Sequence, residues 1–295
     1  MNLHLLRIFI AVVDAGSFSR AAEALAISQP AVSKAVRELE TQLETTLLDR
    51  KGRSFRPSEP GQSLYSYGRS IFALEREAHE MLAAFYGLER GRLTIGASTT
   101  IATYWLPPLI AVFHRLHPHI DIRLISGNTK QIVELLVDCQ LDVALVEGAV
   151  FEPRIEQRLW FSEEMVVISA NPAPAHDAVE MAKPLSDQVW VMREPGSGTR
   201  EATEALLQEL GTSSPRMMEV GSNEAIVQTV SAGIGLGVVP RICARDQLRL
   251  GRIRQVDLGT APIRRQLYRI RLPHRMVSQV AIAFEALLAD KTLIP

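Results

Sequence analysis

The stretch SFSRAAEALAISQPAVSKAVRELE, residues 17–40, contains two helical segments with almost no chain between them. The first, about residues 18–25, is rich in alanine, so another helix can approach it closely. The second is capped by Ser28 and has Pro30 in its first turn, where the missing amide costs no hydrogen bond. Apolar residues of the second segment recur at helical spacing, which predicts one buried face made of Val32, Val36, Leu39 and Leu43.

A further helix is predicted over residues 3–14, where apolar residues also recur at helical spacing. Gly16 is expected to end this helix, and Ser17 can cap the next one. The chain therefore opens with three successive helices.

A polar face lies beside the buried face of the third helix. Gln29, Ser33 and Arg37 follow one another at intervals of four residues, with Lys34 adjacent. Glutamine and serine can read base edges, whereas arginine and lysine can contact phosphate or guanine. We call these four residues the reading face. Two short helices with such a face have the layout of a helix-turn-helix, although a merely solvated helix face has the same composition.

A basic cluster follows in LLDRKGRSFRPS, residues 47–58, with Gly52 to turn the chain. The pattern predicts a basic hairpin, or wing, whose arginines can enter a narrow minor groove or bind phosphates. Many basic loops are only solvated, but this one directly follows the reading face. The predicted DNA-binding residues are Ser17, Arg20, Gln29, Pro30, Ser33, Lys34, Arg37, Arg50 and Arg53.

Ser58 can cap a long helix that runs to about residue 88. Apolar residues recur along it at alternating spacings of three and four, the heptad pattern of a paired coiled coil. Packing within its own chain is the alternative. Pairing would present two reading helices to two half-sites on DNA. We call the predicted dimer interface the apolar seam, and its residues are Leu64, Tyr67, Ile71, Leu74, Ala78, Met81, Phe85 and Leu88.

From Leu93 onward, short apolar strands alternate with helices, which predicts an α/β fold with mostly parallel sheets. Two βαβ halves joined near residue 162 indicate two lobes with a cleft between them. The expected domains are an all-α winged helix-turn-helix over 1–57, a linker helix over 58–90, and a two-lobed domain over 91–295. The lobes would be 91–161 with 267–295, and 162–266.

Four turns of this domain stand where strands end and helices begin, which is where α/β folds bind ligands. Their hydroxyl, amide and glycine groups suit a small anion, and GSGTR, residues 196–200, also offers a charge through Arg200. Arg200 could instead pair with Glu204 one turn later. Each turn alone would be an ordinary helix cap, but four together favour a site. The predicted effector-binding residues are Ser98, Thr99, Thr100, Asn128, Thr129, Ser197, Gly198, Thr199, Arg200 and Asn223.

Other patterns exclude some functions. The histidines of HRLHPH, residues 114–119, lack accompanying carboxylates or cysteines, so no metal site is predicted. No catalytic constellation can be assembled, and neither enzyme activity nor a cofactor is expected. The two cysteines imply no disulfide, which fits a reducing cytosol. Arg7 and Asp14 interrupt the first apolar run, so we expect neither a signal peptide nor a membrane span, and a cytoplasmic location.

The arrangement resembles the LysR-type transcriptional regulators over essentially the whole chain, most closely in residues 17–40 and in the following LLDR. The resemblance implies a winged helix-turn-helix, a dimerising linker helix and a two-lobed effector domain similar to periplasmic binding proteins. Such proteins are commonly dimers of dimers. REPGSGTR and GSNEAI look like loops of the regulators of sulfur assimilation and carbon fixation. One departure is Pro57-Ser58, where the family usually has Leu-Thr.

By match of motif, the resemblance implies which residues meet DNA. The wing residue Arg53 would face the minor groove. The residues that would face the major groove are Gln29, Pro30, Ser33, Lys34 and Arg37.

The sequence thus predicts a DNA-binding transcriptional regulator that responds to a small anionic metabolite held between two lobes. Its expected partners are promoter DNA, the effector, a second copy of itself in a homodimer or homotetramer, and RNA polymerase if it activates. The alternative is a cytosolic binding protein or enzyme that uses the α/β lobes, with the N-terminal helices serving only assembly. The reading face and the wing favour the regulator.

Overall fold

The computed structural model describes residues 1–49, 56–84, 91–170, 185–212, 216–273, 275 and 277–290. Contacts divide the chain into two compact units. The first contains residues 1–79 with 138–140, and the second contains residues 80–137 with 141–295. Within the described residues, every helix is either too short or too polar to cross a bilayer.

The first unit begins with three helices, α1 (Leu3–Ala15), α2 (Phe18–Leu25) and α3 (Gln29–Gln42). Gly16 ends α1 with a φ of 59°, a conformation that glycine adopts without strain. Ser28 caps α3 by accepting a hydrogen bond from the Ala31 amide at 3.4 Å. Ser17 occupies the N-cap position of α2, but its side chain makes no capping hydrogen bond to the described residues. The three predicted helices are therefore confirmed, and the side-chain cap at Ser17 is wrong.

The predicted buried face of α3 packs against α1 and α2. Val32, Val36 and Leu39 have no exposed surface, and Phe9 of α1 is equally buried in the same cluster. Leu43, at the end of the helix, is only partly buried. The alternation of apolar and polar residues along α3 thus fixes which of its faces is turned toward solvent.

A short hairpin follows α3. Strands β1 (Leu48–Asp49) and β2 (Arg56–Pro57) pair antiparallel, with Asp49 opposite Arg56. Residues 50–55, which include the predicted DNA contacts Arg50 and Arg53, lie outside the described residues. An antiparallel pair of strands directly after α3 is the expected geometry of a wing.

The long helix α4 (Glu59–Ala84) divides the apolar seam between two environments. Ser58 caps this helix, accepting a hydrogen bond from the Gly61 amide at 3.1 Å. Leu64 and Ile71 pack against the core of the first unit, whereas Tyr67 and Leu74 are 73% and 55% exposed. Part of the apolar seam is therefore buried within its own chain, which was the alternative to a paired coiled coil.

The remaining seam residues are less informative. Ala78 is exposed. The side chain of Met81 and all of Phe85 and Leu88 lie outside the described residues.

The second unit alternates strands and helices. Its elements are β3 (Gly91–Ser98), a π-helical turn (Ile101–Trp105), α5 (Leu106–Leu116), β4 (Ile120–Gly127), α6 (Thr129–Val137), β5 (Val143–Glu147), β6 (Glu156–Ala170), a 3-10 turn (Leu185–Asp187), β7 (Val189–Arg193), α7 (Gly198–Glu209), β8 (Arg216–Val220), α8 (Asn223–Ser231), β9 (Leu236–Pro240), α9 (Arg241–Arg249), β10 (Ile253–Val256), β11 (Arg264–Arg271) and α10 (Gln279–Ala289). The sequence did not predict α9 and β10.

The described strands of this unit follow one hydrogen-bonded path, β4-β3-β5-β11-β6-β9-β7-β8, with β10 also paired to β6. Pairing is parallel within each lobe, where β3 lies between β4 and β5, and β7 between β8 and β9. Pairing is antiparallel wherever β6 or β11 takes part. The expectation of mostly parallel sheets therefore holds for the core of each lobe and fails for the strands that join the lobes.

Strand β6 links the two lobes. Its residues 156–164 pair with β11, and its residues 165–170 pair with β9 and β10. The C-terminal helix α10 packs on the first lobe, as predicted, where Phe284 contacts Phe113 edge to face at 5.3 Å between ring centroids. The strand ends on both sides of this junction bring the four predicted loops together.

Candidate functional site

The outward face of α3 carries uncommitted polar groups. Gln29, Lys34 and Arg37 are exposed, and Ser33 is half-buried. Among the described residues, the side chains of Gln29, Lys34 and Arg37 make no hydrogen bond or ion pair. Their donors and acceptors are therefore available to another molecule.

The other predicted DNA-binding residues lie before α3, at its start, or after it in the wing. Pro30 and Arg20 are exposed, and Ser17 is half-buried. Arg50 and Arg53 lie outside the described residues.

The four predicted loops of the second unit meet through direct hydrogen bonds. The Asn223 amide, at the start of α8, donates to Thr100 Oγ1 at 2.8 Å. The Asn128 amide, at the start of α6, donates to Glu194 Oε1 at 3.3 Å. Each bond joins a loop of the first lobe to a loop of the second. The structure thus assembles residues that are far apart in the sequence.

A buried arginine stands behind these loops. Arg265 Nη1 donates to Glu147 Oε2 at 2.6 Å and to Thr199 Oγ1 at 2.8 Å. Nε of Arg265 donates to Glu163 Oε1 at 2.8 Å, and Nη2 contacts the same oxygen. The side chains of the arginine and of both carboxylates are at most 3% exposed. We call Arg265, Glu147 and Glu163 the buried charge cluster.

Further bonds attach the buried charge cluster to its surroundings. The Thr100 amide donates to Glu147 Oε1 at 3.0 Å, and the Trp105 indole donates to Glu163 Oε2 at 3.3 Å. Arg265 Nη2 also lies 3.4 Å from Thr100 Oγ1. The cluster therefore has hydrogen-bonding partners on both lobes.

Burial controls the charges of the cluster. Desolvation raises the pKa of Glu163 above its ordinary value, and the attraction of Arg265 opposes this shift only in part. Desolvation lowers the pKa of Arg265, but the carboxylates of Glu147 and Glu163 outweigh it and the net shift is upward. Arg265 therefore stays cationic, and its raised pKa makes Glu163 easier to protonate than an ordinary glutamate.

Several predicted effector residues are closed off by this arrangement. Thr100, Thr199 and Asn223 have no exposed surface, and Ser197 is 2% exposed. Ser197 Oγ accepts from the Thr199 amide at 3.2 Å as the cap of α7. The Thr100 and Thr199 hydroxyls, Ser197 Oγ and the Asn223 side-chain NH2 therefore already bond to other residues of the chain.

Gly198 and Arg200 have structural partners. A Cβ atom at Gly198 would come within 2.6 Å of the Glu147 carbonyl oxygen, so only glycine allows α7 to approach the end of β5. Arg200 Nε donates to Glu204 Oε1 at 2.7 Å, and Nη1 lies 3.1 Å from Glu219 Oε2. For Arg200, the structure shows the pairing with Glu204 that was the alternative to a role in effector binding.

The remaining loop residues keep some accessible or unsatisfied groups. Thr99, Asn128 and Thr129 are half-buried, and Thr129 Oγ1 donates to the Glu147 carbonyl at 2.8 Å. Ser98 Oγ and Asn223 Oδ1 are buried and have no hydrogen-bonding partner among the described residues. Buried polar atoms without partners are rare in native proteins, because each one costs its desolvation energy. Both atoms belong to the predicted effector-binding loops.

Sequence reasoning missed Glu147, Glu163 and Arg265. Glu147 ends the otherwise apolar strand β5, and that position was the available signal. Glu163 and Arg265 each have a neighbour of the same charge in the sequence, Glu164 and Arg264, that is exposed. No pattern in the sequence says which member of each pair points inward.

The described histidines and cysteines lie in separate surroundings. The described residues contain no group of three histidine, cysteine or acidic side chains that could hold a metal ion. Cys139 and Cys243 are not joined in a disulfide, and both are buried. Burial, reinforced by the nearby Glu224 carboxylate, raises the pKa of the Cys243 thiol well above its ordinary value. A thiol in this state is a poor nucleophile.

Comparisons with known proteins agree with this architecture. Residues 3–62 match the bacterial regulatory helix-turn-helix protein model of the lysR family, and residues 87–292 match the LysR substrate binding domain. The RuBisCO operon transcriptional regulator of Allochromatium vinosum is 34% identical over 286 residues, covering 96% of this chain and 94% of the relative. The transcriptional regulator CysL of Bacillus subtilis is 33% identical over 274 residues, covering 92% of each.

A solved structure extends the likeness to the second unit. The regulatory domain of Synechocystis CcmR, determined in complex with 2-PG, superposes with a TM-score of 0.60 at 26% identity. It covers 68% of this chain and 96% of that domain. The matched family models and the full-length relatives together show that this chain belongs to the LysR family of helix-turn-helix transcriptional regulators.

Proposed function

We propose that this regulator binds promoter DNA with α3 and the following wing, and that a small anion held by the four loops controls it in the cytoplasm. No enzymatic step is part of the proposal. The observation that carries it is the contrast on α3: one face is buried in the core, and the opposite face exposes Gln29, Lys34 and Arg37 without partners among the described residues.

Titration of a promoter-region duplex and of a random duplex at several salt concentrations tests DNA binding. Phosphate contacts make the affinity for both duplexes fall as the salt concentration rises. Base contacts make the affinity for the promoter-region duplex exceed that for the random duplex at any one salt concentration. Equal affinity for both duplexes would contradict base reading by α3. The absence of any salt-dependent affinity would contradict DNA binding altogether.

The effector site is supported by its place in the fold. Helix N-termini carry partial positive charge and free amides, and those of α6, α7 and α8 start at the predicted loops. The unsatisfied Ser98 Oγ and Asn223 Oδ1 lie among the same loops. The related CcmR domain was determined with 2-PG bound, which favours an anion here as well.

The geometry sorts the predicted effector residues into two groups. Ser98, Thr99, Asn128 and Thr129 have unsatisfied or partly accessible polar groups and would contact the anion. Thr100 and Thr199 bond to Arg265 and would instead hold the lobes in register. A ligand that bridges the lobes biases their closure, which is how occupancy could reach the DNA-binding unit.

A thermal-shift screen of metabolite anions, followed by calorimetry, tests this site. A ligand at a hundredfold its dissociation constant stabilises by about 2.7 kcal/mol, which the screen detects. Ser98→Ala breaks no protein hydrogen bond among the described residues, so a loss of about 1–3 kcal/mol in binding would come from the ligand contact. Arg200→Gln is the control and should keep the parental affinity. Parental binding by Ser98→Ala together with Thr129→Val would contradict the site.

Self-association through the exposed part of the apolar seam is the remaining part of the proposal. Leu74→Asp places a charge on an exposed position of α4 and should separate dimers without unfolding the first unit. Ile71→Asp is the matched comparison, because Ile71 packs against the core and its loss should lower stability as well. An unchanged dimer of Leu74→Asp in sedimentation would refute this interface.

A further inference from the structure

A cavity of about 590 Å³ opens between α9, β6 and β11 of the second unit. Its floor is apolar and includes Trp105, Phe161, Ile242 and Leu248. The rings of Trp105 and Phe161 lie 4.8 Å apart between centroids and are tilted by 52°. As far as the described residues show, no residue of the four loops lines this cavity.

The rim of the cavity is cationic. Arg241, Arg245 and Arg249 project from one face of α9 at intervals of four residues, and Arg264 comes from β11. Arg245 pairs with the adjacent Asp246, at 3.2 Å, and both side chains are substantially exposed. Within the described part of the chain, Arg249 and Arg264 have no ion pair. Their guanidinium groups are thus available to an incoming anion.

The two acidic residues that line the cavity are already neutralised. Glu164 accepts from Arg241 Nε and Nη2, each at 2.9 Å. Glu163 accepts from Arg265 in the buried charge cluster and from the Trp105 indole. Since each carboxylate has its own cation, neither cancels the charge of Arg249 or Arg264. The cavity therefore has a net positive rim above an aromatic floor.

We propose that this cavity is a second small-molecule site, separate from the four loops, and that it takes an amphipathic anion: a carboxylate on an aromatic body. A guanidinium pairs with a carboxylate through two parallel hydrogen bonds, and a ligand ring packs favourably against the Trp105 and Phe161 rings. The volume falls within the range of about 300–1,000 Å³ that is usual for ligand pockets. This site requires no ligand at the four loops.

Calorimetric titration of the full-length chain with phenylacetate at constant salt tests the site. Acetate has the charge without the ring, and benzyl alcohol has the ring without the charge. Phenylacetate should bind saturably, and each of the other two should bind about tenfold more weakly or worse, because a buried ring and a charged hydrogen bond each contribute at least that factor. Equal binding of acetate would show only diffuse attraction to arginines and would overturn the proposal, as would the absence of saturable phenylacetate binding.

Variants locate the binding. Arg249→Gln and Arg264→Gln should each weaken phenylacetate binding by about three- to tenfold. Both arginines are exposed, so these variants should keep the parental unfolding temperature. Arg252→Gln removes an exposed arginine that does not line the cavity and is the matched control. Binding that survives in both arginine variants but is lost in Ser98→Ala would assign phenylacetate to the four loops and overturn the second site.

Discussion

The reading face of α3 and the four loops of the second unit were both predicted from polar side chains on or at the start of helices, yet their polar groups are in opposite states. On α3, Gln29, Lys34 and Arg37 are exposed and have no partner among the described residues. In the loops, Thr100 and Thr199 are completely buried and bond to Arg265. A surface for a macromolecule can leave its polar groups in water, whereas a closed site between lobes must satisfy them internally. Substitutions should therefore affect recognition on α3 and stability in the loops.

The largest effect is expected from Arg265→Leu. It leaves the carboxylates of Glu147 and Glu163 buried without their cation, which should cost about 3–5 kcal/mol of unfolding free energy. Urea denaturation of the full-length chain measures the loss. The control is Arg264→Leu at the adjacent, exposed position, which should stay within about 0.5 kcal/mol of the parent. Equal stability of the two variants would contradict the buried charge cluster.

The next largest effect concerns the reading face. Gln29→Ala should reduce the discrimination between operator and random DNA by about 1–3 kcal/mol, because one base contact is lost. Its unfolding free energy should change by less than about 0.5 kcal/mol, since the side chain is exposed and unpaired among the described residues. Binding measured on both duplexes decides this. If both affinities drop equally, Gln29 contacts the backbone rather than a base.

The pH dependence of the unfolding free energy is a further way to compare the reading face with the loops, because Glu163 belongs to the buried charge cluster behind the loops. The raised pKa of Glu163 means that the folded state binds a proton more tightly than the unfolded state, whose value is near 4.5. As pH rises above that value and through the folded pKa, Glu163 loses its proton and its contribution to stability falls, by at most about 1.4 kcal/mol per pH unit. Denaturation curves of Glu163→Gln should lack this decline. If the parent and Glu163→Gln lose the same amount of unfolding free energy as pH rises, Glu163 is not the source of the decline.

The smallest effect is expected from Thr199→Val, which keeps the side-chain volume and removes the hydroxyl that accepts from Arg265. Arg265 Nη1 keeps its bond to Glu147, so the loss should be about 1 kcal/mol. Thermal unfolding at fixed pH measures it, with Thr212→Val as the control, because the half-buried Thr212 hydroxyl makes no hydrogen bond to the described residues. A loss as large as that of Arg265→Leu would mean that the threonine, rather than the carboxylates, holds the arginine.

The helices of the first unit could be predicted because their signals are local. Ser28 and Pro30 fix the start of α3, and Gly16 fixes the end of α1, through hydrogen bonds within a few residues. The same local signals identified most strands of the second unit. They failed at α9, where three arginines among nine residues hide the apolar pattern of a helix that is only partly buried.

The sequence by itself determined the three-helix start, the exposed face of α3, the alternation of strands and helices, and the residue types at the strand ends. Each of these follows from propensity or periodicity within a short window. Only the tertiary structure decided that β6 and β11 run antiparallel between the lobes, and that Glu163 and Arg265 point inward while Glu164 and Arg264 point outward. Partners for these side chains lie about a hundred residues away or more. Burial of a charge depends on whether such a distant partner arrives, so it cannot be read from the residues beside it.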